Sequence, residues 1–280
     1  MSSAHAPLLT RERFVLTNSR GLPVRGELVR TDSARRSIVI CHGFKGFYRW
    51  GFFPILIDAL ATEGWRVVSF NFSGSGVGSD LENFTEQDAF FHDTFGQQLA
   101  DLALVIDQAT ARQWLGPLFA LFGHSRGGGI AILHAARQSR VGALVTWASI
   151  SHVTRWAQDS IAQWRANGFL EVPNVRTGQI LRLGTAALDE VEAERSASLD
   201  IQAAASRLSV PWLIVHGTAD ETVPPAEAEA LSLAAPVISK LLYVQGANHA
   251  FDVKHPASQA SPALREAIEH TLSFLNSSME

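Results

Sequence analysis

From about residue 37 to the C-terminus, short apolar runs alternate with helical patterns, and this alternation constrains the fold more than any other feature of the chain. Ile38–Cys41, Trp65–Phe70, Leu118–Phe122, Leu144–Ala148, Trp212–His216 and Lys240–Gln245 are continuous and short. Runs of that kind read as strands buried on both faces. Helical segments fall between them: Phe52–Ala61, Ile130–Ala136, and Leu99, Leu102, Ala103, Ile106 and Ala109 on one helical face. A last amphipathic helix carries Leu264, Ala267, Ile268, Thr271, Leu272 and Leu275. Alternation of this type predicts an α/β protein, its sheet mostly parallel and covered by helices on both faces. Ahead of it, Phe14–Thr17 and Val24–Thr31 read as two antiparallel strands joined by a turn at Gly21-Leu22-Pro23.

The stretch 151–208 interrupts the pattern with helical signals and no clear strand. A segment that long inside a compact domain carries its own structure and often covers a site. We therefore expect one domain over 1–280 with a mainly helical cap inserted at 151–208. A chain of 280 residues, 46% hydrophobic, can bury such a core without disulfides or metals. The net charge of −4 and the pI near 6.2 argue against a nucleic-acid partner. One cysteine, Cys41, allows no intrachain disulfide and fits a reducing compartment. The opening MSSAHAPLLTRERF lacks a signal-peptide core, and no run of about 18 apolar residues predicts a membrane span. The expectation is a soluble cytoplasmic protein.

Gly123-His124-Ser125-Arg126-Gly127 stands between a predicted strand and a predicted helix. A serine at the tip of such a turn crowds its neighbours, and glycines two residues to either side relieve the crowding. Serine is a poor nucleophile unless a base takes its proton and a third group orients that base. Of ten histidines, His134, His92 and His270 fall on helices, His216 in a strand and His5 in the N-terminal tail. His249 follows the last strand in Gln245-Gly246-Ala247-Asn248-His249, at the carboxyl edge of the sheet where ligands bind. His255 is the reserve candidate. For the acid, the loop after Leu144–Ala148 offers no carboxylate before Asp159. The loop Gly217-Thr218-Ala219-Asp220-Glu221 offers Asp220, with Glu221 as a lesser alternative and an N-cap before Pro224-Pro225 as its non-catalytic reading. The order Ser125, Asp220, His249 follows.

These motifs, with Cys41-His42-Gly43-Phe44-Lys45-Gly46-Phe47, Val223-Pro224 and Asn248-His249, resemble the α/β-hydrolase superfamily. Within it the chain is most similar to the serine-aminopeptidase-like and cinnamoyl or feruloyl esterase-like groups. The resemblance covers nearly the whole chain except the cap. It implies an oxyanion hole formed by the backbone N–H groups of Phe44 and Arg126, and a structural role for His42. Cys41 is expected to pack, and Ser125 stands where the related dienelactone hydrolases use cysteine. Phe70-Asn71-Phe72-Ser73-Gly74-Ser75-Gly76 departs from the Asp-x-Arg-Gly pattern of relatives, which suggests a flexible rim.

Trp147, Trp156, Trp164, Phe169 and Leu170 give aromatic and apolar bulk in or beside the insertion. Their ordinary role is to bury the cap; any that face the cleft favour an aromatic or apolar acyl group. Arg126, Lys45, Arg155 and Arg176 could meet a substrate carboxylate, although such residues are more often surface charges. Asp189–Arg195 reads as a solvated helix face. Neither a metal-ligand spacing nor a dinucleotide fingerprint is present, so no cofactor is expected. The expected activity is cleavage of a small carboxylic ester through an acyl-enzyme. The alternatives are an aminopeptidase, thioesterase or acyltransferase with the same triad, or a hydrolase-like binding module without turnover.

Overall fold

The computed structural model describes residues 7–279; His5 lies outside them. The hairpin β1 (Thr10–Thr17) and β2 (Pro23–Arg30) is antiparallel, with Thr17 opposite Pro23. There follow β3 (Arg36–Cys41), α1 (Phe53–Thr62), β4 (Trp65–Asn71), α2 (Gln87–Phe91), α3 (Phe95–Ala111), β5 (Phe119–His124), α4 (Arg126–Ala135) and β6 (Val141–Trp147). An insertion carries α5 (Gln158–Asn167), β7 (Phe169–Asn174), β8 (Gln179–Gly184), α6 (Thr185–Glu194) and α7 (Ile201–Ala205). The chain resumes with β9 (Trp212–Gly217), α8 (Ala226–Ala234), β10 (Ser239–Val244) and α9 (Pro262–Ser278). Local chemistry fixes the helix starts: Thr94 and Ser261 accept the amides of Gln97 and Leu264 at 3.2 and 2.9 Å, ahead of α3 and α9.

Eight strands form one sheet in the order β1-β2-β4-β3-β5-β6-β9-β10. β1 and β2 are antiparallel, and every pairing from β4 to β10 is parallel. Successive residues of β3 feed opposite cores. Val39 and Cys41 pack with Leu102, Ile106, Ile130 and Leu231 of α3, α4 and α8. Ile38 and Ile40 pack with Leu56, Leu60, Leu264 and Leu275 of α1 and α9. Burial on both faces is why these strands are continuously apolar, and each such side chain is worth about 1.5–3 kcal/mol. Because β4 and β5 flank β3 on either side, the chain leaves β3 and β5 in opposite directions. That switch point opens a crevice at their carboxyl ends.

Two expectations are corrected. The insertion is not strand-free: β7 and β8 pair antiparallel as a separate two-stranded sheet. Glu171, Pro173 and Arg182 break its apolar pattern, because only one face is covered: Val172, Leu181 and Leu183 pack on Phe47, Phe84, Phe90 and Trp164. The segment 70–76 is not a flexible rim either. All of its residues are buried, Ser73–Ser75 form a short 3-10 turn, and the Ser73 amide donates to Asp101 at 2.8 Å. Among the described residues no helix is long and apolar enough to cross a membrane.

Candidate active site

A cavity of about 520 Å³ opens at the crevice, and Ser125, His249, Phe44 and Arg126 all line it. Ser125 joins β5 to α4 at φ 56°, a left-handed backbone that is costly for any residue but glycine. Its neighbours pack too closely for side chains. A Cβ on Gly123 would lie 2.2 Å from the Gly127 carbonyl oxygen, and one on Gly127 2.4 Å from that of His42. The Ser125 amide donates to the Trp147 carbonyl at 3.0 Å, tying the turn to the end of β6.

His249 and Asp220 come from loops after β10 and β9 and meet directly, with Nδ1 2.7 Å from Oδ2. The other carboxylate oxygen of Asp220 accepts the amides of Thr222 and Val223, each at 2.9 Å. Burial drives the Asp220 carboxyl upward, but hydrogen bonds from His216 and His249 and the Val223 amide outweigh it and hold it well below the usual range. Asp220 caps no helix, since Pro225 precedes α8. No hydrogen bond joins Ser125 to His249 among the described residues. The two share the cavity wall, and contacts of this kind often close only around a substrate.

Three further residues support this arrangement and were not singled out for it in the sequence. His124 Nε2 donates to the His249 carbonyl at 3.0 Å, and burial together with the nearby His249 pushes its own pKa down to about 3. His216 is a strand residue as expected but only half satisfied. Its Nε2 bonds the Val223 carbonyl at 2.8 Å and lies 3.4 Å from Asp220, while Nδ1 has no partner among the described residues. Asp93 pairs with Arg126 at 3.0 Å. His124 ends β5 directly before Ser125, and that adjacency was its one signal. Asp93 sits in a loop and carried none.

Phe44 lies in the loop after β3, where a Cβ on Gly43 would come within 2.9 Å of the Ser125 Cβ. The Arg126 amide is the first of α4 and so has no acceptor within the helix. Neither the Phe44 nor the Arg126 amide donates a backbone hydrogen bond among the described residues. His42 donates through Nδ1 to the Gly43 carbonyl at 2.8 Å and accepts the Phe72 amide at 3.1 Å. Burial pushes its pKa down to about 4. Cys41 is buried in β3, and burial pushes its thiol up.

His255 is engaged elsewhere, accepting the Gly51 amide at 3.0 Å and facing Glu82 at 3.3 Å. His134 is held in α4, with Nε2 buried and without a partner among the described residues. Of the aromatic residues near the insertion, Trp156 lines the cavity, whereas Trp147 and Trp164 are fully buried in the cores. Phe169 lies under the Arg182 guanidinium. All four cations singled out from the sequence, Lys45, Arg126, Arg155 and Arg176, line the cavity. In the 189–195 run, Glu190 turns inward to accept the Gly96 amide at 3.0 Å, so that helix face is not wholly solvated.

Fold and crevice together define an α/β-hydrolase. The sequence model of the serine aminopeptidase S33 family matches residues 32–173, and the chain belongs to that family of hydrolases. No curated protein matches the sequence. Among solved structures, Est1E from Butyrivibrio proteoclasticus with ferulic acid bound is 19% identical over 95% of this chain and 99% of its own, with TM-score 0.74. The esterase domain of a Rhodothermus marinus protein is 18% identical over 96% and 98%, with TM-score 0.67. The α/β-hydrolase GrgF from Penicillium sp. sh18 is 17% identical over 96% and 99%, with TM-score 0.73. At these identities the likeness is one of fold.

Proposed function

We propose that the protein cleaves a carboxylic ester through an acyl-enzyme, with Ser125 as nucleophile, His249 as general base and Asp220 as the orienting acid. The observation that carries this reading is the 2.7 Å His249–Asp220 pair, whose histidine lines the same cavity as the strained Ser125. Ser125 Oγ attacks the carbonyl carbon as His249 Nε2 takes its proton. Asp220 holds Nδ1–H in place and offsets the imidazolium charge. The amides of Phe44 and Arg126 receive the oxyanion, each worth roughly 3 kcal/mol in the transition state. The leaving alcohol takes the proton from Nε2, and water then attacks the acyl-enzyme with the same base. The 151–208 insertion serves as a cap, its residues Val153, Arg155, Trp156, Asn174, Val175 and Arg176 supplying one wall of the cavity.

The family name raises an aminopeptidase reading. The cavity charge disfavours it: the lining holds four cations and, among the described residues, no aspartate or glutamate to receive a substrate ammonium group. A panel of matched 4-nitrophenyl esters, anilides and thioesters tests the choice, with fluorophosphonate labelling of Ser125 as a second readout. Fastest turnover of the ester by the wild type and its loss in Ser125→Ala are expected. Undiminished turnover by Ser125→Ala overturns the mechanism, and a preferred anilide or thioester overturns the bond assignment.

A further inference from the structure

The four cations around the cavity are not equivalent. Arg126 is compensated by Asp93 at 3.0 Å, and Arg155 is compensated by Glu227. Lys45 and Arg176 have no carboxylate within ion-pair distance among the described residues; each is held by a backbone carbonyl. Lys45 Nζ donates to Pro173 at 3.0 Å, and Arg176 Nη2 donates to Glu82 at 2.7 Å. The first bond brings Lys45 to Pro173, one residue before Asn174 at the end of β7 and three before Arg176 in the turn of the same hairpin. Asn174 also lines the cavity, is only 9% exposed, and its amide nitrogen has no partner among the described residues. Two solvent-exposed cations, neither in an ion pair among the described residues, and an orphaned buried donor thus meet at one wall of an otherwise largely apolar chamber, with Asp80 acting on Arg176 from beyond ion-pair distance.

We propose that Lys45, Arg176 and Asn174 form a carboxylate-binding subsite, so that the substrate is an ester carrying an anionic carboxylate away from the scissile bond. The proposal rests on the serine-hydrolase reading and names its substrate class. A carboxylate there supplies a close ion-pair partner to both cations and an acceptor for the buried amide. Desolvation pulls the Lys45 ammonium below its ordinary pKa although the residue is exposed, and an anion beside it offsets that cost. The carbonyl tethers hold both side chains in position, which reduces the ordering required on binding. Phe44, Trp50, Phe95, Ile150, Val153 and Trp156 supply apolar surface for the link between carboxylate and ester. A single carboxylate charge suits such walls because it sheds its water more readily than a phosphate dianion.

The test compares 4-nitrophenyl hydrogen adipate and suberate with their methyl-capped counterparts, which differ only in the distal charge. Wild-type kcat/KM is expected to favour the anionic member at one or both lengths by about tenfold or more. Lys45→Met and Arg176→Gln are each expected to reduce that ratio by about tenfold, the factor equivalent to 1.4 kcal/mol. The ratio cancels any uniform loss of activity in the variants. Wild-type turnover of the capped esters with a ratio near one at both lengths overturns the subsite and leaves the hydrolase reading standing. A ratio unchanged in both variants also overturns it. Should no ester be turned over, the hydrolase reading falls, and fluorescence titration of the cavity tryptophans with monomethyl and dimethyl suberate decides the subsite. Tighter binding of the monoanion, weakened in both variants, supports it; equal binding overturns it.

Discussion

Arg126 and Asp93 form an ion pair at 3.0 Å with side chains 8% and 2% exposed, and the guanidinium lies between the rings of Phe44 and Phe95 at 4.3 and 4.4 Å. The ion pair therefore links the residue after Ser125 to the loop before α3, and the contact with Phe44 links it to the loop after β3. Burial pushes the Asp93 carboxyl up to about 7 against the pull of Arg126 and Gln98. Asp93→Ala leaves the buried Arg126 uncompensated and is expected to cost about 3–5 kcal/mol by urea denaturation. Asp93→Ala combined with Arg126→Met removes the stranded charge and should recover part of that loss. Equal losses in the single and double variants would show that the pair carries no such energy.

Asp220→Asn keeps the size of the side chain but removes the charge that faces His249. Under the proposed mechanism, kcat on a reactive ester should fall by about 10³–10⁴-fold with the fold intact by circular dichroism. A fall of less than tenfold would remove Asp220 from the mechanism.

The pH dependence of stability follows from buried histidines, with His134 lowered to about 4 in addition to His42 and His124, and from the Asp93 carboxyl, which is raised to about 7 and opposes them over the same interval. His42 and His124 have pKa values pushed down to about 4 and about 3, below the ordinary 6.5 of an unfolded chain. Between those values the unfolded chain binds protons that the folded one does not. Their contribution is complete above about pH 6.5 and is lost as the pH falls towards 4, on the order of 3 kcal/mol per histidine. Below about pH 4 the lowered Asp220 carboxyl adds a further loss in the same direction. Denaturant titrations from pH 7.5 to 4 should show a net decline, smaller than the histidine contributions summed because protonation of Asp93 offsets part of them, and a flat profile would contradict it. His42→Gln should be less stable at pH 7.5 but decline less steeply.

Gly123→Ala puts a methyl group 2.2 Å from the Gly127 carbonyl oxygen, which is backbone and cannot rotate away. Overpacking of this kind costs about 1–3 kcal/mol and should displace the turn that holds Ser125. A lowered Tm together with weaker fluorophosphonate labelling is the expected outcome. An unchanged Tm would mean that the β5–α4 turn can shift freely.

The parallel strands and their helices were legible because each buried strand is a continuous apolar run, as in Ile38–Cys41 and Trp212–His216. The β7–β8 hairpin was not, because one covered face leaves only every second residue apolar, and Glu171, Pro173 and Arg182 disguise the pattern. Ser125, Asp220 and His249 could be nominated because each occupies a loop at a predictable sheet edge. The supporting residues could not, since Asp93 meets Arg126 and His124 meets His249 across 33 and 125 positions of chain.

By itself the sequence determined the class of fold and the strand-to-turn-to-helix setting of Ser125, because both rest on short-range patterns of apolar residues and glycines. Only the tertiary structure decided which charges are compensated. Lys45, Arg126, Arg155 and Arg176 are alike as letters, yet two face carboxylates and two face carbonyls. That difference depends on contacts between distant segments, and no local pattern encodes it.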